Sequence, residues 1–271
     1  EEGDQEQAGA FQASLLESIF NQLGSLSDEQ ITQVFEVFYF SLKNQQSLLY
    51  LNDVEAGVVV DQLNWSGRIS HPDCPGGFGD YCHIDHIFQV EANIGVNKIN
   101  PYINQSVSHT INIEEGRIGH QRQVKFTNRA RSSSWPLGSY RFYLRFFVNP
   151  ESELDQLLVD GELLAEDKIV SYIDHNRKVY ATVLEVGPSE SLDLLFNYSV
   201  PHKLEPGDAY FFYDQLQAGL KQRPTVMSLK FPHDWRAKVV SPQAEVNQNQ
   251  VVITSDVGSS FIIIGFEESN L

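Results

Sequence analysis

The 271-residue sequence predicts an α+β protein: a helical or α/β amino-terminal part packed on an antiparallel, immunoglobulin-like β-sandwich. Three observations lead there. Apolar residues recur at helical spacing through the first 60 residues. The period changes from 3.6 to 2 after residue 85. Gly, Pro, Asn and Ser then punctuate the apolar runs at intervals of about ten residues, as in a sandwich.

The helical elements come first. Phe11, Leu15, Ile19 and Leu16, Phe20, Leu23 form one apolar stripe, and Gly24 is its stop. "SDEQ" then reads as a capping box, with the Ser27 hydroxyl accepting from the Gln30 amide while the Gln30 side chain reaches back. Ile31, Val34, Phe35, Phe38 and Leu42 continue a second helix at the same period. "SLLYLN" reads as a short strand and residues 54–62 as a third helix. Strands follow, among them "HTINI", "RQVKF", "RFYLRFFV", "KVYATVLEV", "LDLLFNYSV", "AYFFYDQL", "VMSLKF", "QVVITS" and "FIIIGF". The composition shift near residue 100 divides the chain into parts 1–100 and 101–271, with a weaker boundary at 201–207, "PHKLEPG".

A hydrophobic content of 41 %, with 17 Phe and 11 Tyr, is ample for a core. Acidic residues outnumber basic ones 36 to 19, for a formal charge of −17. That balance opposes binding to nucleic acid or an anionic membrane surface. No run of about 18 apolar residues occurs, so membrane attachment would need an anchor upstream of this sequence. Met227 is the only methionine, which leads us to expect a processed chain or a fragment.

The stretch "DCPGGFGDYCHIDH", residues 73–86, allows three readings. Cys74, Cys82, His83 and His86 supply the donors of a zinc site, but adjacent Cys82 and His83 point to opposite faces of an extended segment. Asp73, Asp80 and Asp85 offer hard oxygens to calcium, without the regular alternation of a calcium loop. A Cys74–Cys82 disulfide fits best, because the glycine-rich link lets the two approach, and it implies an oxidising compartment.

From Arg117 to Arg145 there are seven basic residues and no acidic one. In "YRFYLRFFV" the alternation puts Phe142, Leu144, Phe146 and Val148 on one face and Arg141, Tyr143, Arg145 and Phe147 on the other. Arg141, Tyr143 and Arg145 are candidate ligands for phosphate or carboxylate groups of a polymer, against the alternative that the arginines pair with the protein's own acids. No G-x-S-x-G, H-E-x-x-H, P-loop or dinucleotide fingerprint occurs. His109, His120, His175, His202 and His233 read as ordinary surface or strand histidines, and Trp135 and Trp235 as covers for the ends of the sandwich.

"NWSGRI" followed by "DHIFQVEANIGVNKINPYI" resembles a bacterial envelope family, the domain of unknown function 4012, at Trp65, Gly67, Asp85, Asn93, Gly95, Lys98 and Tyr102. "YRFYLRFFVNPESEL" and "YDQLQAGL" resemble two further motifs of that family, with Ala218 where Pro is usual and Val96 where Gly is common. The resemblance implies the carboxyl-terminal half of a membrane-anchored protein with an extracellular soluble part. A looser similarity to the LytR-CpsA-Psr ligases implies glycopolymer transfer with magnesium, with Asp85, Asn93 and Lys98 near the cleft. Lys98 paired with Asp85 or Glu91 is the structural alternative. The expectation is therefore an extracellular, envelope-associated binding or scaffold module with no cofactor. Its partner would be an envelope polymer or another surface protein, and self-association is compatible with it. The alternatives are the transferase and a calcium- or zinc-loaded adhesion domain.

Overall fold

A computed structural model describes residues 2–74, 76, 81–220, 223–241, 244–255 and 259–269, with all their side chains except those of 2–8, 239 and 245. Helices α1 (Glu2–Leu23), α2 (Asp28–Lys43) and α3 (Val54–Gln62) precede a large sandwich, so the protein is α+β. The capping box forms as the sequence predicts: the Gln30 amide donates to Ser27 Oγ and the Ser27 amide to Gln30 Oε1. "SLLYLN" joins no sheet; the Leu49 amide instead donates to the Trp65 carbonyl. Asp53 takes the N-cap of α3, accepting from the Ala56 amide.

Fifteen strands follow among the described residues: β1 Cys82–Asn93, β2 Ile103–Glu114, β3 Arg117–Asn128, β4 Tyr140–Val148, β5 Glu153–Val159, β6 Glu162–Leu163, β7 Val170–Asp174, β8 Arg177–Val186, β9 Ser191–Pro201, β10 Ala209–Gln215, β11 Thr225–Lys230, β12 Trp235–Ser241, β13 Glu245–Asn247, β14 Gln250–Ser255 and β15 Ser260–Glu268. One sheet has the order β12-β15-β10-β1-β4-β8-β7, the other β13-β14-β11-β2-β3-β9-β5-β6. Each contains one parallel pair, β1 with β10 and β2 with β11. The sandwich is thus mixed where the sequence predicts antiparallel pairing, and it exceeds the seven to nine strands of an immunoglobulin domain. Hairpin signals are local and reveal antiparallel neighbours, whereas these parallel pairs join segments far apart in the chain. β1 begins before residue 100 and lies inside its sheet, bonded to β10 and β4.

The core fills the space between the two inner faces. Phe142, Leu144 and Phe146 of β4 and Phe212 of β10 meet Val124 and Phe126 of β3 and Phe196 of β9, all fully or nearly fully buried. The Phe146 and Phe196 rings stack at 4.3 Å across the interface. The two helices before residue 44 behave differently. Phe11, Phe20, Phe35 and Phe40 are all more than half exposed, and Leu42 is the one buried residue of α2. Among the described residues no helix is long and apolar enough to cross a membrane.

Candidate functional site

Two features of the sandwich gather chemistry: a polar seam inside it and a cleft on its outer face. The seam follows from strand parity. On β1 the residues His83, Asp85, Ile87, Gln89 and Glu91 share the inward face, so four polar side chains enter the core from one strand. His109 of β2 and His120 and Arg122 of β3 face them, and all three are buried.

Asp85 is saturated. Its Oδ1 takes hydrogen bonds from His83 and from the Asn149 amide, and its Oδ2 from His120 Nε2 (3.1 Å) and the Tyr210 hydroxyl (2.8 Å). Burial alone would raise its pKa, but the His120 and His83 hydrogen bonds outweigh burial and hold the carboxyl well below the ordinary range. Behind it, His120 Nδ1 lies 3.1 Å from His109 Nε2, and His109 Nδ1 lies 3.2 Å from an Arg122 amino nitrogen. Arginine donates only, so His109 Nδ1 must accept and its Nε2 must carry the proton. His120 Nδ1 then accepts, and its own proton lies on Nε2, pointing at Asp85. Every hydrogen bond from Arg122 to Asp85 therefore runs in one direction, through two neutral imidazoles. Burial, then His120 and Arg122, keep His109 far below its usual pKa, in agreement.

Arg122 is the hub. It also donates to both oxygens of Asp214 (2.9 and 3.2 Å) and, through Nε, to Gln89. Gln89, Gln105 and the Tyr140 hydroxyl all donate to Glu91, whose pKa burial nevertheless raises. Arg223 adds a second guanidinium on Asp214 at 3.2 Å, and burial lowers its pKa to about 10. The seam reaches the surface twice. His83 borders a cavity of about 700 Å³ with Glu151 and His202, and Glu91 one of about 260 Å³ with Asn100 and Gln105.

The other sequence-predicted residues lie elsewhere. Asn93 caps the turn after β1, donating to Asn97 and Asn100. Lys98 forms no ion pair with Asp85 or Glu91; it is exposed and lies over the Trp135 ring at 5.9 Å. Eight residues of strand, about 26 Å at 3.3 Å per residue, separate Asp85 from Asn93. Val96 takes left-handed backbone, with φ of 53° at a β-branched residue that is 89 % exposed. On β4, Arg141 is exposed, and Arg145 sits between the Tyr143 and Phe147 rings at 5.8 and 5.5 Å. Of the basic run, Arg117, Arg122 and Lys125 pair with Asp155, Asp214 and Asp193. Trp235 covers the core beside Phe266, as predicted, but Trp135 stands 73 % exposed. Cys74 and Cys82 form a disulfide, with Cα atoms 6.3 Å apart, which removes both thiolates from any zinc site with His83 and His86. Asp80 lies outside the described residues, and among those described no cluster of three metal-ligating side chains occurs.

That disulfide ends a strap, residues 66–74, that crosses the outer face of the β1–β10 sheet. Gly67 opens it with φ of 71°, and a Cβ there would come within 2.6 Å of Leu48. Gln215 clamps the middle from both sides: its amide donates to the Arg68 carbonyl at 2.8 Å, and its oxygen accepts from the Ser70 amide at 2.9 Å. Arg177 donates to the Ser70 carbonyl. Under the strap lies a cleft of about 640 Å³, floored by Phe211, Tyr213 and Phe261 and rimmed by Asp61, Asn64, Arg68, His71 and Asp73. The Phe211 ring packs beside the disulfide cysteines. His86 stacks on Tyr213 at 5.7 Å, and burial, then the Arg177 charge, lower its pKa to about 3.

No protein-family model matches the chain, and comparison with curated proteins finds no match. Among solved structures it is similar to an M1 zinc metallopeptidase from Deinococcus radiodurans, with a TM-score of 0.35 and 10 % identity over 60 % of this chain and 42 % of that one. It is also similar to leukotriene A4 hydrolase from Saccharomyces cerevisiae, with a TM-score of 0.40 and 9 % identity over 61 % of this chain and 29 % of that one. The chain thus spans less than half the length of either protein. Likenesses this distant say nothing about activity.

Proposed function

We propose that the protein is an extracellular, envelope-associated module that acts by binding, with no chemistry of its own. The observation that carries this reading is the strap-covered cleft. Its aromatic floor, polar rim and pinned walls are the attributes of a preformed ligand site. A disulfide closing its rim belongs to an oxidising compartment. The seam, the most enzyme-like constellation, supports the same reading: both oxygens of Asp85 are already occupied by protein donors, and Asn93 and Lys98 do not converge on it.

Co-sedimentation of the oxidised protein with washed bacterial envelopes tests the reading. Saturable association, weakened when the disulfide is reduced, is expected. No association above that of a serum-albumin control would defeat it.

A further inference from the structure

Resting on the binding reading above, we infer that the cleft beneath the strap is a carbohydrate site that takes the uncharged rings of a short oligosaccharide. The chemistry of its walls selects that class. Phe261 of β15 and Tyr213 of β10 are register partners on the outer face, and Phe211 and Phe261 lie with ring centroids 6.0 Å apart. Phe261 is 39 % exposed, which leaves aromatic surface open to the cleft. An aromatic floor of this kind suits a ligand with an apolar ring face.

The rim supplies what the edge of such a ring needs. Asn64 offers an amide, Asp61 and Asp73 offer carboxylate acceptors, and His71 offers an imidazole. Hydroxyl groups both donate and accept, so they can match this mixture, whereas a simple anion cannot. Asp61 already holds Arg68 at 2.8 Å, which neutralises the one arginine of the rim and leaves Asp73 as its surplus charge. Phosphate, nucleotide and uronic-acid ligands are disfavoured by that balance. The volume of about 640 Å³ falls within the usual span of small-ligand clefts, about 300–1,000 Å³.

The strap also makes binding sensitive to redox state. Asp73 adjoins Cys74, so the bridge to Cys82 fixes one end of the rim, while Gln215 and Arg177 fix its middle. A pinned rim loses little conformational freedom when a ligand arrives. Opening the bridge restores that freedom and weakens binding.

Saturation-transfer NMR and titration calorimetry on the oxidised full chain test the inference, with chitotriose and cellotriose as probes and with trigalacturonate and a neutral tripeptide as competitors. At least one of the two uncharged saccharides is expected to bind. Phe261→Ala should weaken binding about tenfold, the effect of losing roughly 1.4 kcal/mol of ring contact. Trp135→Ala, remote from the cleft, should leave it unchanged. The Cys74→Ser/Cys82→Ser variant should weaken it as well. Thermal melts confirm folding, and Phe261→Leu is a second variant should the alanine fail to fold. Three results would overturn the inference: neither saccharide binds, Phe261→Ala and Phe261→Leu bind like the parent, or trigalacturonate or the tripeptide binds more tightly. If envelopes still co-sediment with the protein while neither saccharide binds, the carbohydrate assignment falls alone. If a saccharide binds and envelopes do not, the cleft stands and the envelope reading falls.

Discussion

The helices before residue 44 and the sandwich behind them invert the usual arrangement in opposite senses. The helices hold apolar side chains outside: Phe11 is 69 % exposed, and Phe20, Phe35, Val37 and Phe40 are also more than half exposed. The sandwich holds charge inside: Arg122, Asp85, Asp214 and Arg223 are all buried. The first region forms its elements from local signals alone, the apolar period and a capping box, and shows that a correct helix pattern need not create a core. The second shows that buried charge is tolerated when each group has partners, here a connected seam from His83 to Glu91. Stability therefore resides in the sandwich.

That contrast can be broken or sharpened by measurement, and the largest effect should come from the seam. Asp214→Leu strips two buried guanidiniums of their shared carboxylate and should cost about 3–5 kcal/mol, read by chemical denaturation. A loss under about 1 kcal/mol would show that the seam is not under strong electrostatic constraint. Opening the disulfide should cost about 2.5 kcal/mol in the chain-entropy description of so short a loop, read as a lower melting temperature in reductant.

Acid should destabilise the fold through its neutral histidines. His86 ordinarily titrates at 6.5 and is held to about 3, so the unfolded chain binds the additional proton between those values. Its contribution is intact above pH 6.5 and is lost as pH falls toward 3. Melting temperature should decline across that window, and His86→Gln should flatten the slope. Glu91 has the opposite sign: its raised pKa favours the neutral form, so its contribution is present at low pH and fades as pH rises above 4.5. The smallest effect belongs to the helices. Ser27→Ala should cost about 1 kcal/mol of α2 stability, seen as faster amide exchange there, and leave the melting of the sandwich unchanged. A cooperative loss of both regions would show that the helices are part of the core.

Much of the fold is legible in the sequence, because the helix stop at Gly24, the box at Ser27 and the alternation in "YRFYLRFFV" are local signals. The disulfide is legible from its glycine-rich link. The seam is legible only in hindsight. His109 shares strand parity with Val107, Ile111 and Ile113, and His120 with Ile118, Val124 and Phe126, so of the two readings, surface or strand, the strand one holds for both, and both point into the core. What no local signal carries is Asp214, which reaches Arg122 across 92 residues of chain, or Gln215, which clamps Arg68 across 147. The cleft carries no local signal for the same reason: its rim lies within residues 61–73 and its floor within residues 211–261.

The two parallel pairs set an order of events during synthesis. Cys82 lies opposite Ala209, and Val107 opposite Thr225, so the interior strands of both sheets wait for residues some 118 to 127 positions further along to leave the ribosome. Until then β1 and β2 each present an unfilled flank, beside helices that already display their phenylalanines. A nascent chain of this kind needs shielding while it is made, and loss of the residues after Pro201 would strip three neighbouring strands from one side of each sheet and leave β1 and β2, interior in the whole fold, as bare edges.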